Sequence, residues 1–161
     1  MSSEPLFSAA LNKGQALLSG THQLAMHWQP DVTTRTLIDE ARTTGYLGRA
    51  TEKRIQDLVR VFSRRYMHGQ PPPAAHLHQL ASQLPATGLF SEICLIHTAA
   101  AHPELDAFIR EVYWPAYYAG HRDLSKDAAR DFFTGAQQKG RTQGEGRKGC
   151  WCALPVASPA P

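Results

Sequence analysis

Residues 51–68, TEKRIQDLVRVFSRRYMH, carry the clearest helical pattern in the chain and decide its fold class. Apolar side chains recur there at spacings of three and four, which aligns them along one stripe of an α-helix. This stripe consists of Ile55, Leu58, Val59, Phe62 and Tyr66. The basic side chains on the opposite face and on one shoulder are Lys53, Arg54, Arg60, Arg64 and Arg65. One face of the helix therefore predicts a packed core, and the other predicts contact with an anion.

Positive charge is concentrated around this helix. The 161-residue chain has 17 Lys and Arg against 14 Asp and Glu, so it is only mildly basic as a whole. Residues 35–65, however, hold eight Arg and Lys against four Asp and Glu. A basic helix face can bind nucleic acid, bind an acidic protein or simply be solvated. The candidate nucleic-acid contacts are Arg49, Lys53, Arg54, Arg60, Arg64 and Arg65, and Arg35 and Arg42 lengthen the basic segment upstream.

The rest of the sequence is also helical in pattern, and no run alternates apolar and polar residues over strand length. We predict an all-α domain of about six to seven helices over residues 1–140, a size that suits one compact unit. A Gly-, Pro- and Ala-rich tail over residues 141–161 is expected to be loosely ordered. One further helix is predicted over residues 14–28, loosened or broken around Gly20. Others are predicted after a cap at Asp31 or Thr33, over residues 74–84 and 89–101, from Pro103, and over residues 126–139 after a cap at Ser125.

Pro115 is expected to end or kink the helix that starts at Pro103, because proline lacks an amide donor and clashes with the preceding turn. Aromatic residues cluster at this point. Single-stranded nucleic acids stack on such rings, but aromatics at helical spacing more often pack in a core or an interface. We therefore predict packing for Tyr113, Trp114, Tyr117 and Tyr118.

The cysteine and histidine patterns do not predict a catalytic or metal site. Cys150 and Cys152 form a C-x-C pair, but no second ligand pair stands at zinc-finger spacing. His97 falls on an apolar stripe, where a hydrogen-bonded core histidine is expected. No H-E-x-x-H, G-x-S-x-G or G-x-x-x-x-G-K motif occurs. We predict a non-enzymatic protein without a cofactor, metal or small-molecule substrate.

Cysteine usage and hydropathy indicate a cytoplasmic protein. Three cysteines without a signal-peptide pattern favour a reducing compartment. The longest mostly apolar run, LFSEICLIHTAAA from Leu89, is shorter than the roughly 20 residues that span a bilayer. We predict no transmembrane helix and no membrane partner.

Three segments, in this order, resemble the BrxA family of bacteriophage-exclusion (BREX) defence systems. They are GQALLSGTHQLAMHW at residues 14–28, RATEKRIQDLVRVFSRRY at residues 49–66, and HPELDAFIREVYWPAYYAGHRDLSKDAARDFF at residues 102–133. The resemblance covers about residues 7–140. It implies a helical fold similar to the NusB-like antitermination proteins, DNA binding, other defence proteins as partners, and no known catalytic centre. It transfers no site residue, so the candidate contacts rest on charge alone.

The C-terminal end departs from that family pattern. Proteins resembling BrxA usually continue with a tryptophan-containing turn and another amphipathic helix, whereas this chain has CWCALPVASPAP. We hypothesise a frameshift or truncation near Gly144.

The predicted function is sequence-tolerant binding of duplex DNA. Arginine and lysine would neutralise backbone phosphates and release condensed counterions, without reading bases. Two alternatives use the same charges. One is a structural adaptor that docks an acidic partner protein, and the other is RNA binding, which follows from the fold analogy alone.

Overall fold

A computed structural model describes Phe7, residues 17–121 and residues 123–142. These residues are all-α, as predicted, apart from one isolated parallel bridge between Phe7 and Thr142. The helices are α1 (Leu18–His27), α2 (Thr34–Thr44), α3 (Glu52–Tyr66), α4 (Pro73–Ala81), α5 (Leu89–Ala101), α6 (Pro103–Phe108), a π-helical turn (Ile109–Tyr113), α7 (Trp114–Tyr118) and α8 (Lys126–Gln138).

The described residues group into two compact units. The first unit runs from residue 17 to residue 101, and the second contains Phe7 with the described residues from 102 to 142. The single domain over residues 1–140 stays a prediction. Most of the predicted tail, residues 143–161 with both of its cysteines, lies outside the described residues.

Helix α3 is at the centre of the first unit, where it packs against α1, α2, α4 and α5. The predicted apolar stripe is confirmed, because all five of its side chains are at most 7% exposed. Ser63 is the one further buried side chain of α3, and its hydroxyl pairs with that of Thr34 on α2 at 2.8 Å. Burial on this scale fixes the rotation of α3, so its opposite face must point away from the core.

Side-chain caps fix where α2 and α3 begin. The Thr33 hydroxyl accepts a hydrogen bond from the Thr36 amide at 3.1 Å, and the Thr36 hydroxyl oxygen accepts one from the Thr33 amide at 2.9 Å. This reciprocal pair satisfies two amides that the helix itself leaves unpaired. At the start of α3, the Thr51 hydroxyl accepts from the Arg54 amide at 3.3 Å. The cap predicted at Asp31 or Thr33 is therefore Thr33.

Helix α1 is not broken at Gly20, so that one of the two alternatives expected from the sequence does not occur. The helix is continuous from Leu18 to His27. A Cβ atom at Gly20 would lie 2.8 Å from Leu58 Cδ2. Glycine at this position therefore serves the close approach of α3 to α1 rather than a turn.

Helix α5 begins and ends where predicted, but its buried side differs in part. Phe90, Cys94 and Thr98 are buried. His97 is only half-buried, with its ring edge-on to His76 at 5.9 Å, so it is not the expected core histidine. The Tyr66 and Thr98 hydroxyls lie 2.9 Å apart, and Thr98 donates to the Cys94 carbonyl at 2.7 Å. This buried polar chain ties α3 to α5.

The second unit is built on α6, the π-helical turn, α7 and α8. Pro115 does not end the helix, because the chain widens into the π-helical turn just before it and then continues as α7. A π turn leaves room where the proline ring would otherwise meet the preceding carbonyl. Glu104 and Ala107 are the buried side chains of α6, whereas Leu105 and Phe108 are only partly buried. Glu104 lies 3.4 Å from His102 Nδ1, which is also buried.

Helix α8 follows the sequence prediction closely. The Ser125 hydroxyl caps it by accepting from the Ala128 amide at 3.1 Å. Ala129, Phe133 and Ala136 are buried. Within the described residues, no helix is both long and apolar enough to cross a membrane.

The aromatic cluster at α7 does not pack into a core of the described residues, so that part of the prediction is wrong, while packing in an interface stays a prediction. Tyr113 and Trp114 are 40% and 43% exposed, and Tyr118 is 82% exposed. The rings contact one another, with the Tyr113 and Tyr117 rings stacked at 6.2 Å. Helical spacing placed these residues on one side of the chain but could not reveal whether another element covers them.

Candidate nucleic-acid interface

Three of the predicted cations form the outer face of α3. Lys53, Arg60 and Arg64 are all exposed. At about 100° per residue they lie within a narrow arc roughly opposite the buried stripe. Among the described residues, no carboxylate lies within ion-pair distance of these three side chains, and Asp57 is the exposed acid nearest to them in sequence. We call Lys53, Arg60 and Arg64 the outer cations.

A groove of about 430 Å³ lies between α2 and α3 and adds arginines from a second helix. We call it the α2–α3 groove. Arg35, Arg42 and Arg60 line it together with Asp39 and uncharged side chains. Arg35 was named only as a lengthening of the basic segment, but it belongs to the same surface as the outer cations. The spacing of seven between Arg35 and Arg42, two turns on one helix face, is the signal that could have identified both.

The three arginines of the α2–α3 groove differ in how they are paired. Arg42 donates to Asp39 Oδ1 at 3.2 Å and forms an ion pair with Glu52 Oε1. Glu52 also accepts a hydrogen bond from Gln56 Nε2 at 2.7 Å. Within the described part of the chain, Arg35 and Arg60 have no such carboxylate partner. Arg42 is therefore neutralised by its own protein, while the other two arginines are not.

The remaining predicted contacts lie to either side of the outer cations. Arg49 is exposed in the loop before α3. Arg54 is exposed and lines a second cleft of about 410 Å³, bordered by α1 and by the loop that contains Tyr46. Burial and the neighbouring Glu40 raise the pKa of the Tyr46 hydroxyl to about 12, so this group is neutral at pH 7.

Arg65 is directed toward the interior of the first unit. It is half-buried and lies close to Tyr66 and Cys94. Burial raises the pKa of the Cys94 thiol to about 11, although the positive charge of Arg65 opposes that shift. Sequence periodicity placed Arg65 on the shoulder of α3, and the structure adds that it lies near Cys94 of α5.

Nothing in the described residues assembles a metal site, since no three side chains of His, Cys, Asp or Glu converge there. Burial, and secondarily the charge of His76, lower the pKa of His97. The exposed guanidinium and ammonium groups of this surface can bind anions.

Comparison with known proteins identifies the family. The chain has no significant match among curated proteins or among solved structures. It does match the BrxA family over residues 5–142, a range that includes all the helices described above. Because this match covers most of the sequence, the chain belongs to the BrxA family, which associates it with bacteriophage-exclusion (BREX) defence.

Proposed function

We propose that this protein is a non-enzymatic DNA-binding component of a BREX system and that it contacts the phosphate backbone of duplex DNA through α3. The observation that carries the proposal is the outer face of α3. Lys53, Arg60 and Arg64 are exposed there and, among the described residues, have no carboxylate within ion-pair distance. The helix that presents them is held by a fully packed opposite face.

The dimensions of this face suit a polyanion. Lys53 and Arg64 are eleven positions apart on one helix, which corresponds to about 16 Å at a rise of 1.5 Å per residue. A DNA duplex presents one phosphate charge per about 1.7 Å of its axis, so several phosphates fall within that span. Phosphate contacts of this kind fix the position of a protein on DNA but carry no base information. Binding is therefore expected to tolerate unrelated sequences.

The direct test replaces all three outer cations. In the variant Lys53→Ala/Arg60→Ala/Arg64→Ala, affinity for a duplex should fall on the order of 10- to 100-fold at low salt, because three phosphate contacts are lost. The loss should be similar for duplexes of unrelated sequence. Fluorescence anisotropy with nuclease-treated protein measures this. Equal affinity of the variant and the parent for the duplex would show that the outer cations are not the binding face.

A matched control uses the second unit. The variant Lys126→Ala/Arg130→Ala/Lys139→Ala also removes three exposed positive charges, but from α8 and the residue after it. Its affinity should stay within about twofold of the parent, because the α3 face is unchanged and the loss of net charge alone has a small effect. A loss as large as that of the α3 variant would show that net charge, and not the α3 face, governs binding.

An acidic partner protein would use the same electrostatics as DNA, and other proteins of the defence system are the proposed candidates. Co-purification after nuclease treatment separates these outcomes. A DNA-binding protein loses its nucleic acid, whereas an adaptor retains its protein partner. Single-stranded DNA and RNA of matched length, titrated in parallel, show which nucleic acid the α3 face prefers.

A further inference from the structure

The α2–α3 groove contains both the attractive charges for a phosphate and a competitor for one of them. Two of its arginines, Arg35 and Arg60, have no carboxylate partner among the described residues. The third, Arg42, is held between Asp39 and Glu52. We propose that a backbone phosphate binds in this groove and that Glu52, with Asp39, restrains the affinity by occupying Arg42. This inference rests on the proposed function and deepens it.

The geometry brings these charges together from two antiparallel helices. Thr34 at the start of α2 bonds to Ser63 near the end of α3, and Arg42 near the end of α2 pairs with Glu52 at the start of α3. Contacts near both ends of this helix pair thus hold α2 and α3 side by side, and the groove lies between them. Its volume of about 430 Å³ leaves room for a phosphate group between the helices.

The restraint follows from the chemistry of guanidinium. An arginine offers five N–H donors in one plane, and a carboxylate and a phosphate compete for the same pair of them. Arg42 can therefore bind phosphate only by leaving one or both carboxylates. The side chains of Arg42 and Glu52 are 40% and 53% exposed. Exposed ion pairs are weak, so the restraint should be worth roughly fivefold in affinity and should be reversible.

The groove also predicts a contribution from Arg35, which lies on α2 and outside the outer cations. Arg35→Ala should weaken duplex binding by about three- to tenfold, because it removes one of the two open arginines. The change leaves α3 untouched. Unchanged affinity in Arg35→Ala would overturn the placement of a phosphate in the groove.

The restraint itself is tested by neutralising one carboxylate. Glu52→Gln keeps the shape of the side chain but removes the negative charge that holds Arg42, so that at most a neutral hydrogen bond remains. Affinity for a 20-base-pair duplex should rise about fivefold, and the slope of log affinity against log salt should steepen by about 0.9, as expected for one additional phosphate contact. The matched control is Asp57→Asn, which also removes one exposed negative charge from α3 but, among the described residues, holds no arginine. Its affinity should rise no more than about twofold, without a change in slope.

Repeating the Glu52→Gln substitution in a protein that lacks Arg42 shows whether the gain in affinity depends on that arginine. In an Arg42→Ala protein, Glu52→Gln should raise affinity no more than Asp57→Asn does. A gain from Glu52→Gln that matches the control, or that persists without Arg42, would overturn the inference while leaving DNA binding by α3 intact. Melting curves of all variants confirm that each protein is folded.

A phosphate probe separates this inference from the proposed function. If the parent protein binds no DNA, the proposed function fails. The groove is then judged by titration with inorganic phosphate, followed by NMR of the arginine Nε–Hε signals. Shifts at Arg35 and Arg60, with an added shift at Arg42 in Glu52→Gln, would support an anion site in the groove. Absence of those shifts would overturn it.

Discussion

Gly20 and Gly135 both lie inside helices, yet an added methyl group should have opposite effects at the two positions. Alanine is the better helix former by about 1 kcal/mol. No atom lies within 4 Å of a Cβ built at Gly135, so Gly135→Ala should stabilise the protein by about 0.5–1 kcal/mol. At Gly20 the methyl group would meet buried Leu58, and we expect a net loss of about 1 kcal/mol. Urea unfolding followed by circular dichroism compares the two variants. Equal stabilisation by both would contradict the close approach of α1 and α3.

Cys94 and Tyr66 should make stability fall at alkaline pH. Burial raises the pKa of both groups, that of Cys94 to about 11. Since the folded state holds these protons more tightly than the unfolded state, stability is fully present below about pH 9 and is lost as pH rises toward 11. The loss should be about 1–2 kcal/mol across this window. Cys94→Ala should flatten the decline, which unfolding curves between pH 8 and pH 11 would measure. A decline of equal steepness in the variant would assign it to other groups.

The Thr33 cap fixes the start of α2, the helix that contributes Arg35 and Arg42 to the α2–α3 groove. Thr33→Ala removes the hydroxyl that accepts from the Thr36 amide, while the amide of residue 33 can still donate to the Thr36 hydroxyl, and the change should cost about 1 kcal/mol of stability. Thr43→Ala is the matched control, because it makes the same substitution at an exposed position inside α2. There alanine should be neutral or stabilising by up to about 0.5 kcal/mol. Chemical unfolding of the two variants distinguishes them, and equal stabilities would rule out the cap.

Sequence periodicity was most reliable where one helix carries a long and consistent pattern. The stripe of α3 was predicted completely, because its fifteen residues repeat the three-and-four spacing without interruption. Around Pro115 the sequence was less informative, because of the two expected outcomes, an end or a kink, the helix end does not occur. Local pattern predicts which residues share a helix face, but it does not reveal that a π turn can absorb a proline or that no described element covers Trp114.

The residues of the candidate site also divide into those that local helix geometry predicts and those that depend on neighbouring helices. The exposure of Lys53, Arg60 and Arg64 follows from helix geometry and could be predicted. The inward direction of Arg65 and the pairing of Arg42 depend on neighbouring helices. Contacts between elements that are distant in sequence are not encoded in local spacing, so these two side chains could not be assigned from the sequence.

Across the whole molecule, the two units differ in how their cations are paired. In the second unit, Arg110 pairs with Asp106 at 2.7 Å, and Arg130 pairs with Asp127 at 2.6 Å. Arg141 binds Glu111 at 2.9 Å, and these hydrogen bonds lower the pKa of the Glu111 carboxyl. The outer cations of the first unit have no such partners among the described residues. The outer face of α3 therefore groups three cations that have no carboxylate partner among the described residues, although the net charge of the chain is only +3.

The central claim, that the outer cations of α3 bind backbone phosphates, is tested most directly by the salt dependence of duplex binding. Each phosphate neutralised contributes about −0.9 to the slope of log affinity against log salt. Removing Lys53, Arg60 and Arg64 together should therefore flatten the slope by about 2–3, while the α8 control keeps the parent slope. A variant that binds with the parent slope would contradict the claim, because the three side chains would then release no counterions.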